Sequence, residues 1–256
     1  MDLDGHFDGH FDERFERLDP TRWTSSYLPA WSSRAAAAAA YDIGPGGLRL
    51  SIPPGHPRWC PDTHETPLRV SGIHSANRSG PVGSTDAPQP FAAGLRVREE
   101  QPTMVGFAPH FGVVEVTCRA HVTGRSMFSA WMVGLEDRPE RSGEICLVEV
   151  FGNSIGDDGT VALGQGIHPF RDPGLVDDFT AERRSLDVAQ WHRYAVRWSR
   201  GAVELSVDGQ VTRTCSQAPD YPMMLILAVF DFPDEGGDPA DVPVLEVSRV
   251  VGSPLT

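Results

Sequence analysis

The stretch Gly143-Glu144-Ile145-Cys146-Leu147-Val148-Glu149-Val150-Phe151-Gly152 decides how the rest of this chain is read. It is a short apolar run rich in β-branched residues and closed by glycine at both ends, which predicts a buried strand. Two glutamates inside such a run are expensive, because a buried carboxylate must be hydrogen-bonded, paired or neutralised. One reading ends the strand at Glu144 in solvent and turns Glu149 to an open face. The other holds a carboxylate pair on one face of a sheet for general acid and nucleophilic chemistry. Alternation separates the two. Glu144 and Cys146 share a face, while Glu149 falls opposite unless a β-bulge near Leu147-Val148 returns it. At roughly 3.3 Å per residue the two α-carbons lie far apart. The strand must therefore bend for the carboxyl groups to close to the gap of about 5 Å that a retaining glycosidase uses.

Composition sets the frame. The 256 residues suffice for one large β domain or two small ones, and 26 glycines with 22 prolines favour turns over long helices. A formal net charge of −13 makes nucleic acid and anionic membranes poor partners. All 22 basic residues are arginine, which excludes Schiff-base chemistry and a P-loop lysine. No apolar run approaches the roughly 20 residues of a membrane-spanning helix. The sequence as given opens without a secretory pattern, so a cytoplasmic protein is expected, or a secreted one if a signal has been removed. Cys60, Cys118, Cys146 and Cys215 are widely spread and form no CxxC pair, as free thiols would be.

Along the chain, residues 1–10 contain DGHF twice, at Asp4 and Asp8, and read as a flexible leading segment. Residues 11–256 read as a single domain. Phe11 to Trp23 carries aromatic anchors expected to pack under a sheet, and Ala35 to Ala40 offers at most a helical turn. The alternating stretch Gly47 to Ile52 predicts a half-buried strand. Pro53 to Pro90 is the longest loop region. From Val113 strands follow quickly: 113–119, 128–133, 145–151, 161–167, 193–198, 203–207, 225–230 and 245–250. Asp208-Gly209 supplies the turn of a hairpin. This pattern predicts an all-β sandwich.

Other motifs are weaker. Gly152-Asn153-Ser154-Ile155-Gly156 matches GxSxG, but no helix pattern follows, so a plain turn is expected. Cys60 with His64, and the acidic loop Asp231 to Asp241, have ligand types without a full ligand set. Asn77-Arg78-Ser79 is a sequon only in a secreted protein.

The order of these elements, together with the Glu144–Glu149 run, resembles glycoside hydrolase family 16, the laminarinase and β-glucanase group. The resemblance spans about Phe11 to Val251, and its most specific mark is His192-x-Tyr194-Ala195-x-x-Trp198…Val207-Asp208-Gly209. It implies a concanavalin A-like jelly roll, two curved antiparallel sheets with a sugar cleft across the concave face. The family pattern Glu-x-Asp-x-x-Glu makes Glu144 the nucleophile and Glu149 the acid and base, with Cys146 standing where the family has Asp. A thiol, with an ordinary pKa of about 8.5, is neutral at pH 7 and bonds weakly. A weak or atypical hydrolase is therefore expected.

By the same resemblance the face of Phe128, Ala130 and Met132 is the cleft face. Phe128 and Met132 then stand at sugar-stacking positions, with Trp131 in the core. His168 is expected to contact the sugar or Glu149, and Trp59 to supply an aromatic wall from the long loop. Trp23, Trp191 and Trp198 are expected in the core. Glu246 falls near a structural Ca2+ position of the family, while catalysis requires no cofactor. The implied activity is retaining cleavage of a β-linked polysaccharide by a monomer. A lectin-like carbohydrate-binding protein on the same fold is the alternative that Cys146 and the missing tryptophans favour. Transglycosylation would use the same two carboxylates.

Overall fold

The computed structural model describes residues 9–255. Residues 4–8 of the DGHF duplication, His6 among them, lie outside that range, and His10 is exposed. The first strands are β1 (Phe11–Glu13), β2 (Ala40–Gly44), β3 (Gly47–Ser51), β4 (Arg69–His74), β5 (Ala76–Asn77) and β6 (Met104–Val105). Five longer strands follow: β7 (Gly112–His121), β8 (Ser126–Gly134), β9 (Glu144–Phe151), β10 (Thr160–His168) and β11 (Asp178–Ser185). The last are β12 (His192–Ser199), β13 (Ala202–Val207), β14 (Gln210–Cys215), β15 (Met223–Asp231) and β16 (Val244–Ser253).

They form an all-β jelly-roll sandwich. One sheet runs β14-β13-β12-β7-β16-β3-β2, with β1 added on β16; the other runs β11-β10-β9-β8-β15-β4. Each named pairing is antiparallel. Between the sheets lies the main core, where Val114 and Val116 of β7 and Val196 and Trp198 of β12 meet Phe128, Leu147, Leu225 and Leu227. Phe11, Phe15 and Trp23 join it, and Trp23 Nε1 donates to Glu13 Oε2 at 3.1 Å.

A second apolar cluster covers the outer face of the six-stranded sheet. It joins Tyr27, Trp31, Trp59 and Leu95 to Val70, Trp131, Ile226 and Phe230 of the sheet. The long region after Pro53 is thus packed against the sheet rather than free, and it contains a strand the sequence hides. In β4, Ser71 Oγ donates to the Ala40 carbonyl (3.0 Å), so a polar residue is buried with its bond made. β11 was equally hidden: DFTAERRS lacks apolar alternation because this edge strand is half-buried to exposed along its length. Elsewhere the local signals hold. Asp208 and Gly209 both adopt positive φ, at 51° and 82°, as the tight hairpin requires. Ser154 sits in a 3-10 turn followed by β10. The alanine run makes one helical turn, closed by Ala37 N–H donating to the Ser33 carbonyl (2.9 Å). Trp191 departs from its expected core position; it is 37 % exposed and lies under the Arg119 guanidinium, 4.8 Å from it. All four cysteines are free and buried.

Candidate active site

The register around β9 contains the bulge. On β8, Ala130 pairs with Val148 and the next residue, Trp131, with Cys146, so Leu147 is the extra residue. On β10 the same slip separates Gly164–Glu149 from Gly166–Cys146. Leu147 and Val148 consequently both enter the inter-sheet core, with Ile145 and Val150 on either side. Glu144 and Glu149 emerge together on the other face, in a cleft of about 570 Å³. Cys146 lies opposite Trp131 in the ladder and shares its face.

Two glycines keep the neighbourhood clear. A Cβ on Gly164, the ladder partner of Glu149, would come within 2.6 Å of the Phe179 ring and 3.2 Å of Glu149 Cβ. At the entry to β9 a Cβ on Gly143 would meet Leu175 Cδ1 and Tyr221 Oη, both at 2.6 Å. Instead the Gly143 N–H donates to Tyr221 Oη (2.7 Å), and that hydroxyl donates to Asp172 Oδ2 (2.7 Å), fixing where the strand begins.

The cleft is walled by aromatic rings. Trp59 and Phe91 lie 4.6 Å apart between centroids, Tyr27 and Trp59 5.1 Å, and Trp131 and Phe230 6.1 Å. His168, directly across the ladder from Glu144, lines the cleft, stacks on Phe179 at 4.5 Å and bonds Asp177 Oδ1 through Nδ1 (2.9 Å). At the rim Glu136 is buried and ion-paired to Arg171. Gln89, from the long loop, donates through Nε2 to Glu144 Oε2 (3.1 Å).

Burial sets the proton inventory. It pushes Glu144 up to about 8, helped by the charge on Glu149 and opposed by the Gln89 amide. Glu149 is raised as well, by burial. Burial, then the charges on Glu144 and Glu149, hold the Cys146 thiol well above its ordinary value, so it is a neutral S–H near neutral pH. Its Sγ donates to the Gly164 carbonyl at 3.8 Å. Both desolvated carboxylates therefore resist ionisation, with the Glu149 charge adding to the rise of Glu144.

The structure thus brings Glu144, Cys146, Glu149, His168 and Trp59 to one face and corrects two expected stacking residues. Phe128 and Met132 are 0 % exposed and belong to the inter-sheet core. Met127, Ser129 and Trp131 take the cleft face, so Trp131 is a wall of the cleft rather than a core residue. The ladder settles this parity: Ser129 opposes Glu149, and Trp131 opposes Cys146, so a bulged β9 carries the odd-numbered residues of β8 outward with it. Glu246 does not fit a calcium site. Its Oε2 accepts from Arg119 Nε at 2.7 Å, which places a cation where a second cation would bind. Among the described residues no three His, Cys, Asp or Glu side chains gather to hold a metal. Cys60 Sγ donates instead to the Trp31 carbonyl (3.3 Å), and Asp231 is buried against Arg69 (2.6 Å) and Arg125 (2.8 Å). Sequence reasoning missed Gln89, Ser129, Glu136 and Arg171; the rigid Pro88-Gln89-Pro90 tripeptide was a signal for the first.

Comparison with known proteins shows the family. The model of "Glycosyl hydrolases family 16" matches residues 103–237, more than half the chain and all of β9. The chain belongs to glycosyl hydrolase family 16. Solved structures share its fold. A GlcNAcα1-4Gal-releasing endo-β-galactosidase from Clostridium perfringens superposes with a TM-score of 0.82 at 22% identity, covering 94% of this chain and 61% of that one. The family 16 chain described here therefore spans less than two thirds of that neighbour. A laminarinase from Flavobacterium sp. UMI-01 gives 0.65 at 15% identity, covering 95% and 98% of the two chains. The Crh5 transglycosylase gives 0.63 at 17%, covering 99% and 88%. Among curated protein sequences none matches.

Proposed function

We propose that this family 16 chain is a retaining endo-glycosidase that cleaves a β-linked polysaccharide. The observation that carries the reading is the bulge at Leu147, which sets Glu144 and Glu149 on one cleft face. Bond cleavage needs Glu144 ionised, against the upward push of its burial, and Glu149 protonated, in the direction its burial favours. Glu149, protonated, gives its proton to the glycosidic oxygen as the C1–O bond breaks, and the Glu144 carboxylate forms a bond to C1. The ionised Glu149 then takes a proton from water, whose oxygen attacks C1 and releases Glu144 with the sugar's configuration retained. The aromatic walls offer the apolar faces of sugar rings a surface to lie against. In place of the family's Asp, Cys146 contributes no charge, so catalysis rests on fewer acidic groups and is expected to be slow.

The test is release of reducing ends from β-glucans, β-galactans and galactose-containing glycans, wild type beside Glu144→Gln, with anomeric configuration followed by NMR. The panel is chosen because the neighbours are a laminarinase and an endo-β-galactosidase. Products retaining configuration, lost in the variant, are expected. Inverted products would sink the mechanism; binding without release would move the chain to the lectin-like reading; products longer than the substrate would mark transglycosylation.

A further inference from the structure

A retaining reaction needs Glu144 ionised, and the burial and neighbouring Glu149 charge that push it up to about 8 work against that. The group that favours its anion lies outside β9. An indole N–H can only donate, and Trp131 Nε1 donates to Gln89 Oε1 at 3.4 Å. The oxygen end of the Gln89 amide is thereby assigned to Trp131, and its NH2 end must face Glu144 Oε2, 3.1 Å away. A donor aimed at a carboxylate favours the ionised form.

The amide is clamped in that position. Gln89 has φ of 50°, a left-handed conformation that a non-glycine residue keeps only when its surroundings over-determine it. Trp31 Nε1 donates to the Pro88 carbonyl (2.7 Å), and the Gln89 N–H donates to Glu136 Oε1 (2.7 Å). Glu136 is itself left-handed, with φ of 50°, and is paired to Arg171. Arg78 closes the frame, donating to the Glu136 carbonyl (2.9 Å) and to the Asp86 carboxylate (2.7 Å). Two strained residues on separate loops, bonded to each other, deliver one amide to one carboxylate.

We propose that Gln89 is a positioning residue for the nucleophile: oriented by Trp131 and clamped by Glu136, its amide donates to Glu144 and favours the carboxylate form that must attack C1. The titratable groups around Glu144 do not supply this bias. Glu149 opposes ionisation of Glu144, Cys146 and Tyr27 are neutral with raised pKa, and the Glu136–Arg171 pair is internally compensated. His168, across the ladder, is turned through Nδ1 to Asp177. The orientation of the amide rests on geometry; its catalytic use rests on the hydrolase reading above.

The experiment is a 13C NMR titration of protein labelled at the glutamate carboxyl carbons, with Glu144 and Glu149 assigned through Glu144→Gln and Glu149→Gln. Removing the donor with Gln89→Leu is expected to raise the Glu144 midpoint by about one to two pH units and to lower that of Glu149. Because the nucleophile must be ionised, the acidic limb of the kcat profile should move to higher pH by the same amount, with kcat down at least about tenfold and KM nearly unchanged. Glu136→Leu, which removes the clamp, should reproduce both shifts. Glu136→Gln, which keeps an acceptor oxygen for the Gln89 N–H, should restore wild-type titration. An unmoved Glu144 midpoint, or equal shifts at both glutamates, overturns the proposal. If the midpoints shift as expected but no polysaccharide is cleaved by the wild type, the positioning role stands and the hydrolase reading fails.

Discussion

The two faces of β8 and β9 are equally buried and do opposite things. Every residue of β8 from Ser126 to Gly134 is buried, and β9 is nearly so. On the inner face Phe128, Met132, Ile145, Leu147 and Val148 fill the space between sheets. On the outer face Ser129, Trp131, Glu144 and Glu149 are covered by the loops that wall the cleft. Low exposure alone therefore does not separate core from site. What separates them is which side of one bulge they stand on.

The largest expected effect sharpens the outer face. Glu149→Gln should reduce kcat by about 10²- to 10⁴-fold, as for loss of a general acid, without unfolding the protein; full activity in this variant would break the assignment. Next come paired truncations across the sheet. Phe128→Ala should lower unfolding free energy by about 3–5 kcal/mol in urea denaturation, with KM unchanged for the folded fraction. Trp131→Ala should instead raise KM about three- to tenfold, and a reversed pattern would mean the faces have been exchanged.

A third effect is electrostatic. Burial raises Glu144 above its ordinary 4.5 to about 8. A carboxylate raised in the folded state stabilises the fold below its unfolded value, and that contribution is lost as pH rises through the folded value. Glu144→Gln should thus unfold like wild type near pH 5 and be more stable by about 2–4 kcal/mol near pH 9. Equal stability at both ends would show that Glu144 is not desolvated. The smallest effect concerns Cys146. Cys146→Asp should raise activity above neutrality roughly two- to fivefold by holding the proton on the glutamates, while costing about 1–3 kcal/mol of stability. Lower activity throughout would mean the thiol is not a handicap.

Legibility in the sequence followed the same division. The strands with a clear apolar pattern, the Asp208-Gly209 turn and the bulge were readable, because each depends on local chemistry or on the odd spacing of two costly glutamates. The parity of β8 was not. Phe128, Ala130, Trp131 and Met132 are all apolar, so alternation along that strand carries no phase; only its ladder with the bulged β9 sets it. β4 was obscured by buried Ser71, whose hydrogen bond reaches the distant Ala40 carbonyl, and by buried His74, which bonds the Ala76 carbonyl; β11 was obscured by being polar on both faces. Gln89 was beyond reach for a different reason: its role depends on Glu136 and Trp131, more than forty positions away along the chain.

The four thiols have a use as reporters. Only the thiolate reacts readily with alkylating reagents; burial pushes Cys60 and Cys215 up to about 11 and holds Cys118 and Cys146 well above the ordinary thiol value. Folded protein should be almost inert to such reagents, each cysteine becoming reactive only when its surroundings open. Cys118 lies between the sheets and Cys146 under the cleft. The order in which these two are modified would time opening of the cleft loops against separation of the sandwich, in one unmutated chain.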